Sequence, residues 1–262
     1  MLRFFGRGSG FSDEHNGAYF TVGSQLILVD CPLVTFKRLK NDGLEYYYNK
    51  ANQVDIIQEE KTSKVDIIPD EPVTDIVIVI THTHSDHIGG LALTIHYATF
   101  IWKKHVTVVA PSEEVRKNLE FVLSELDGCD RGTYSLVTAE DYIGEGASWL
   151  RAAIPTTHVP ALEGKCFGYC FNIESRTVVY TGDTNTLEPF LPYVLEETST
   201  GHILYTECSA FDTGVHMFVE KLLDYSEIFR DNGIEVYLMH LDDVEKIEEK
   251  IHGTKFNLAP LA

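Results

Sequence analysis

Thr81-His82-Thr83-His84-Ser85-Asp86-His87 places three imidazoles and a carboxylate within six residues, directly after the apolar run Asp75-Ile76-Val77-Ile78-Val79-Ile80. A run of β-branched residues with no polar alternation is the pattern of a strand buried on both faces. Such a strand pins the loop that follows, so the side chains of His82, His84, Asp86 and His87 aim at one point above a sheet edge. Imidazole with carboxylate suits zinc, and also manganese or iron, whereas the lack of clustered cysteines argues against a closed structural zinc site. An open, catalytic metal site is expected, and Gly89-Gly90 let the backbone turn tightly beneath it. The competing reading, a polar turn with ordinary surface histidines, leaves this density of ligands unexplained.

Strand and helix patterns alternate downstream of the loop. Ile88 to Lys104 reads as helix, Val106-Thr107-Val108-Val109-Ala110 as strand, and Ser112 to Leu126 as helix. Further strands are expected at Trp149 to Ile154, Phe167 to Ile173, Val178 to Thr181, Ile203 to Thr206 and Glu235 to Met239. A helix from about His216 to Arg230 is expected to stop at Asn232-Gly233. Upstream, Ala18 to Val22 and Gln25 to Asp30 flank Gly23-Ser24 as a hairpin. Residues 36–70 turn polar and irregular around Tyr46, Tyr47 and Tyr48, and read as an insertion: a solvated excursion, a lid or a dimer arm. No repeat of fixed period and no linker stands out, so 1–262 reads as a single domain of α/β class, helices covering sheet.

Composition narrows the function. The chain has 262 residues, 44% of them hydrophobic, and can bury a sizeable core. No run of eighteen apolar residues and no leader-like stretch is found, so a soluble, cytoplasmic protein with no membrane partner is expected. Five cysteines at wide spacing read as reduced, structural thiols. In Cys166-Phe167-Gly168-Tyr169-Cys170, alternation puts both cysteines on one strand face, which favours packing over metal chemistry. The formal net charge of −19 repels polyanions at long range and argues against a large nucleic-acid footprint.

The loop His-x-His-x-Asp-His, with the hairpin and Asp30 before it, resembles the hallmark of the metallo-β-lactamase superfamily. The resemblance runs from the hairpin to His240. It implies an αββα sandwich, two mixed sheets covered by helices on both outer faces, with a two-metal cleft at one edge. It also implies three further ligands at strand ends: His158 in Pro155-Thr156-Thr157-His158, Asp183 in Thr181-Gly182-Asp183-Thr184, and His240 after Val236-Tyr237-Leu238-Met239. One metal would take His82, His84 and His158, the other Asp86, His87 and His240, with Asp183 shared. Two divalent ions, zinc or else manganese or iron, would support hydrolysis at neutral pH.

Within that superfamily the region after Asp183 is similar to ribonuclease Z and its phosphodiesterase relatives. Those proteins carry a Glu at a strand end and then a His that opens a helix; here these are Glu207 and His216. The resemblance implies that Glu207 orients His216, that His216 protonates the leaving oxygen, and that Asp86 steers the attacking water. Two departures stand out: the Glu-to-His spacing is short, and Met217 follows His216 where Ser or Thr is usual. Only a short stretch separates His158 from Asp183, where tRNA-processing ribonuclease Z inserts its glycine-rich arm, so tRNA is disfavoured. In length and layout the chain resembles the armless anti-Pycsar cyclic-nucleotide phosphodiesterases. The expectation is therefore a di-metal phosphodiesterase for cyclic nucleotides or other small phosphodiesters, as a homodimer. The alternatives are a ribonuclease Z-type RNA 3′-end endonuclease, a lactonase or thioesterase of the same fold, or a non-catalytic binding module.

Overall fold

A computed structural model describes residues 1–52, 73–197 and 201–262. The strand ahead of the histidine loop shows how its layers arise. Ile76, Ile78 and Ile80 project to one side and Val77 and Val79 to the other, each at most 1% exposed. With no polar face to turn to water, the strand must sit centrally in a sheet covered on both sides.

The first six-stranded sheet runs in chain order: β1 (Arg3–Gly6), β2 (Gly17–Val22), β3 (Gln25–Val29), β4 (Asp75–Val79), β5 (His105–Ala110) and β6 (Ser135–Thr138). The second holds β7 (Leu150–Thr156), β8 (Cys166–Ile173), β9 (Arg176–Tyr180), β10 (His202–Glu207), β11 (Glu235–Met239) and β12 (Phe256–Leu258). Each sheet begins with two antiparallel pairings and continues with three parallel ones. The two halves thus share one topology without sharing a readable sequence repeat.

Helices α1 (Leu33–Asp42), α2 (Leu44–Asn52), α3 (Ser85–Ile88), α4 (Leu91–Tyr97) and α5 (Glu113–Glu120) belong to the first half, with α6 (Ala139–Gly144) leading into the second. Then come α7 (Leu191–Val194), α8 (Val219–Leu223), α9 (Ser226–Asp231) and α10 (Val244–Ile251). Leu39, Tyr47, Ile95 and Leu119 pack on the Ile76 and Ile78 side of the first sheet. Leu222, Phe229, Ile247 and Ile251 pack on Val236 and Leu238 of the second. Between the sheets lie Phe20, Ile27, Val77 and Val79 from one side and Tyr169, Phe171, Tyr180 and Met239 from the other. The αββα sandwich that the resemblance implies is therefore the architecture found. Among the described residues no helix is long and apolar enough to cross a membrane.

Two expectations change in detail. The helix expected from His216 to Arg230 is two short helices, α8 and α9, with Asp224 and Tyr225 between them. His216 lies ahead of α8, whose N-cap is Phe218, so it does not open a helix. The start of the expected insertion, through Asn52, forms α1 and α2, and Tyr47 and Tyr48 are buried against the first sheet. Tyr48 donates to the carbonyl of Gly23 at 2.6 Å, tying α2 to the hairpin turn. The rest of that segment, from 53 to 70, lies outside the described residues.

Polar contacts cross the sandwich beneath the histidine loop, among them the amide of Phe167 on the carbonyl of Thr81 at 3.2 Å. Tyr169 on β8, fully buried, donates its hydroxyl to the carbonyl of Ile80 at 2.7 Å. Tyr169→Phe removes that donor and should lower stability by about 1–3 kcal/mol, the scale for a buried acceptor left unpaired. Thermal unfolding of the purified variant beside the parent measures it.

Candidate metal centre

Four turns at the C-terminal ends of strands carry the candidate ligands inward. β4 runs into the histidine loop, β7 into Thr157-His158, β9 into Thr181-Gly182-Asp183, and β11 into His240. Asp30, Gly182 and His240, each just past a strand, have φ of 60°, 60° and 52°. For the two non-glycine residues this left-handed backbone costs on the order of 1–2 kcal/mol each, so the surroundings must over-determine it. At Gly182 a side chain is excluded as well, because a Cβ would sit 2.5 Å from the carbonyl of Phe167.

All nine residues singled out from the sequence converge. His82, His84, His158 and Asp183 bring ligand atoms within 4.8 Å of one another, and so do Asp86, His87, Asp183 and His240. A third group at the same spacing joins Asp183 and His240 to Glu207 and His216. Asp183, 2% exposed, is common to all three. Its Oδ2 lies 3.4 Å from Nε2 of His240, 3.7 Å from that of His158 and 3.9 Å from that of His82. Its Oδ1 lies 3.3 Å from Nε2 of His87.

Hydrogen bonds behind the imidazoles decide which nitrogen faces the centre. Nδ1 of His158 is 2.9 Å from the carbonyl of Val215, which can only accept, so Nδ1 carries the proton and Nε2 is left with its lone pair. Nδ1 of His87 is 2.8 Å from Oδ2 of Asp30 and is fixed in the same way. Asp30 also accepts from the backbone amide and hydroxyl of Thr81, at 2.8 and 2.9 Å. In the sequence this task of Asp30 has one visible sign, a lone carboxylate closing an apolar strand.

Burial sets the charge balance. It holds His82 below the ordinary imidazole pKa, helped by the neighbouring imidazole of His87. For His240 burial opposes protonation, but Asp183 and Asp86 outweigh it and raise the pKa to about 10. Burial likewise works against a charge on His216, and its hydrogen bond to Glu207 more than compensates, raising its pKa. Burial alone would raise Asp183, yet His240 and His87 hold it well below the usual carboxylate range.

The donor set fits divalent metal ions. Nε2 of His87 and Oδ1 of Asp183 are buried without hydrogen-bond partners although they face each other, an arrangement costly unless a cation sits among them. Nε2 of His82 and Nδ1 of His84 meet at 3.0 Å, where two nitrogen lone pairs need a proton or an ion between them. Asp30→Ala, which unties His87 and Thr81 without touching the ligand atoms, should weaken metal affinity about 10- to 100-fold. Titration with a competing chromogenic chelator reads that change.

Glu207, fully buried at the end of β10, holds Nδ1 of His216 at 2.6 Å through Oε2. Its other oxygen accepts from the backbone amide of Thr184. The His216 ring lies 4.8 Å from that of His158 and 5.4 Å from that of His240. A cavity of about 1000 Å³ opens over this cluster, with His84, Asp86, His158, His216 and His240 in its wall. The five cysteines are free and buried, none of them among the groups of candidate ligands. Burial pushes the thiols of Cys166 and Cys170 up to about 12 and 11, so neither is a ready thiolate.

Fold and site together define a protein of the metallo-β-lactamase fold with a candidate centre for divalent metal ions. Among solved structures the chain is similar to the metallo-β-lactamase fold protein YhfI from Bacillus subtilis, with a TM-score of 0.65 at 16% identity over 99% of this chain and 95% of that one. It is also similar to the short form of human tRNase Z, with a TM-score of 0.59 at 15% identity over 99% and 96%. The profile of the family described as Anti-Pycsar protein Apyc1 matches residues 69–258, and the chain belongs to that family. An Anti-Pycsar protein Apyc1 from Bacillus phage BSP38 is 29% identical over 69% of this chain and 74% of its own length.

Proposed function

We propose that the protein is a phosphodiesterase that cleaves cyclic nucleotides or other small phosphodiesters with two divalent ions, zinc suiting the donor set. The observation that carries this reading is the Glu207–His216 pair beside the candidate ligands. An alkoxide is a poor leaving group and needs a proton as its bond to phosphorus breaks. Glu207 holds the imidazole through Nδ1, so that Nε2 is the atom that gives the proton to the leaving oxygen. His82, His84 and His158 would hold one ion, Asp86, His87 and His240 the other, with Asp183 between. When bound, the ions neutralise phosphate charge and make water a nucleophile at neutral pH. Asp86, whose side chain is 13% exposed, reaches the cleft and orients the attacking water.

The shape of the cleft supports a small substrate. Residues 159–182, where a tRNA-gripping arm would be inserted, are taken up by a short turn at Pro160–Leu162, by β8 and by β9. The cavity wall carries Asp13, Glu14 and Asp242, and Arg7 is its one lysine or arginine among the described residues. Membership of the Anti-Pycsar protein Apyc1 family points the same way.

The metal-loaded protein should hydrolyse bis-para-nitrophenyl phosphate and 3′,5′-cyclic nucleotides and leave precursor tRNA, a lactone and a thioester intact. Turnover of the lactone or thioester alone would refute the reading.

A further inference from the structure

Beyond the ligand cluster the cavity changes character. Its mouth carries Phe11, Phe211 and Leu261, three of the large apolar side chains left exposed on the described surface. Phe11 is wholly exposed and Phe211 half so; neither covers the protein's own core. Exposed apolar groups gathered at the rim of a polar cleft are a feature of ligand sites.

Both phenylalanines stand on pinned backbone. The loop that carries Phe11 is closed by the amide of Gly8 on the carbonyl of Glu14 and by that of Ser12 on Ser9, each at 2.9 Å. The amide of Ser9 bonds the carbonyl of Leu241, next to His240, at 2.9 Å. Gly10 lies so close over Asp86 that an added Cβ would come 2.9 Å from Oδ2. Phe11 therefore starts one residue from a candidate metal ligand. The turn that carries Phe211 is held by its own amide on Oγ of Ser209 at 3.1 Å and by the amide of Ala210 on Oδ1 of Asp242 at 2.8 Å. The ring of Phe211 has Nζ of Lys246 4.5 Å from its centre.

The surrounding charges limit what the mouth accepts. Asp13 and Asp242 would repel a second phosphate, Glu14 and Lys246 are balanced by Arg38 at 2.8 Å and Asp243 at 2.7 Å, and Arg7 is engaged on the carbonyl of Ala259 at 2.9 Å. An uncharged, flat, apolar-faced group is the complement of this rim.

We propose that Phe11 and Phe211 determine specificity by stacking on the heterocyclic base of a nucleotide whose single phosphodiester lies at the ligand cluster. The proposal rests on the phosphodiesterase reading and names its substrate end. Stacking of a base on an aromatic ring predicts a loss of about 5- to 100-fold when that ring is removed.

The test compares the metal-loaded parent with Phe11→Ala and Phe211→Ala on two substrates, a 3′,5′-cyclic nucleotide and a glycerophosphodiester that has no ring. The expected result is a 5- to 100-fold fall in kcat/KM for the cyclic nucleotide, carried by KM, with the ringless diester unchanged. Phe11→Tyr should restore the parent value, and Phe11→Leu, which keeps apolar bulk without a π face, should not. Equal losses on both substrates, or on neither, would overturn the proposal while leaving phosphodiester cleavage intact. If the parent cleaves neither diester, the phosphodiesterase reading falls on its own. Calorimetric binding of a nucleoside monophosphate then decides the matter: binding weakened in Phe11→Ala upholds the stacking role, and equal or absent binding refutes it.

Discussion

Asp183→Ala should abolish activity and leave the protein folded but poor in metal. The carboxylate is the one side chain common to all the ligand groups, with Oδ2 turned toward His82, His158 and His240 and Oδ1 toward His87. Its removal takes one donor from each half of the centre and also the negative charge that holds four imidazoles together. The rate should fall by at least about 10²- to 10³-fold, the scale for deleting a single charge-stabilising group. Elemental analysis should show metal content falling in parallel. Circular dichroism should hold steady, because the apolar layers between and outside the sheets do not involve this side chain.

His216→Ala should produce a different pattern, with metal retained and chemistry lost. On a cyclic nucleotide, whose leaving group is a sugar alkoxide, kcat should drop about 10²- to 10⁴-fold, the usual contribution of a positioned general acid. On bis-para-nitrophenyl phosphate, whose leaving group departs without a proton, the loss should be small. Glu207→Gln should fall between them, because the ring keeps a partner but loses the carboxylate that fixes it at 2.6 Å. Equal losses of His216→Ala on both substrates would remove the acid from the mechanism and leave His216 as a positioning or metal-binding residue.

The legible parts of the sequence were those in which one physical cause dominates. Ile76 to Ile80 showed a strand buried on both faces because no polar residue interrupts it, and this fixed the place of the histidine loop. His158, Asp183 and His240 are single residues at strand ends, invisible to any local pattern; only the resemblance to a family singled them out. The edge strands β1, β6 and β12 are not legible because four residues, or three, are too short a run for a strand pattern to stand out. Tyr47 and Tyr48 looked like part of a solvated excursion because their neighbours are polar, yet helical winding turns both against the first sheet. The break between α8 and α9 has no glycine or proline to announce it, so one continuous helix was the natural expectation there. Asp30 could not be assigned its work on His87 from sequence, since the two residues meet only through the register of β3 against β4.

The pairing of two like halves gives the metal centre a mechanical meaning. His82, His84, Asp86 and His87 belong to the first half, and His158, Asp183 and His240 to the second. Neither half carries all of the candidate donors, so an ion bound among them would act as a clasp across the sandwich, closing on the side where the hydroxyl of Tyr169 already reaches over to Ile80. Binding then stabilises the closed arrangement in proportion to the logarithm of metal concentration over its dissociation constant. The two sheets should resist amide exchange as one cooperative unit when metal is present and part more readily without it. Substitutions deep between the sheets would in turn be felt as weaker metal binding at a site they never touch.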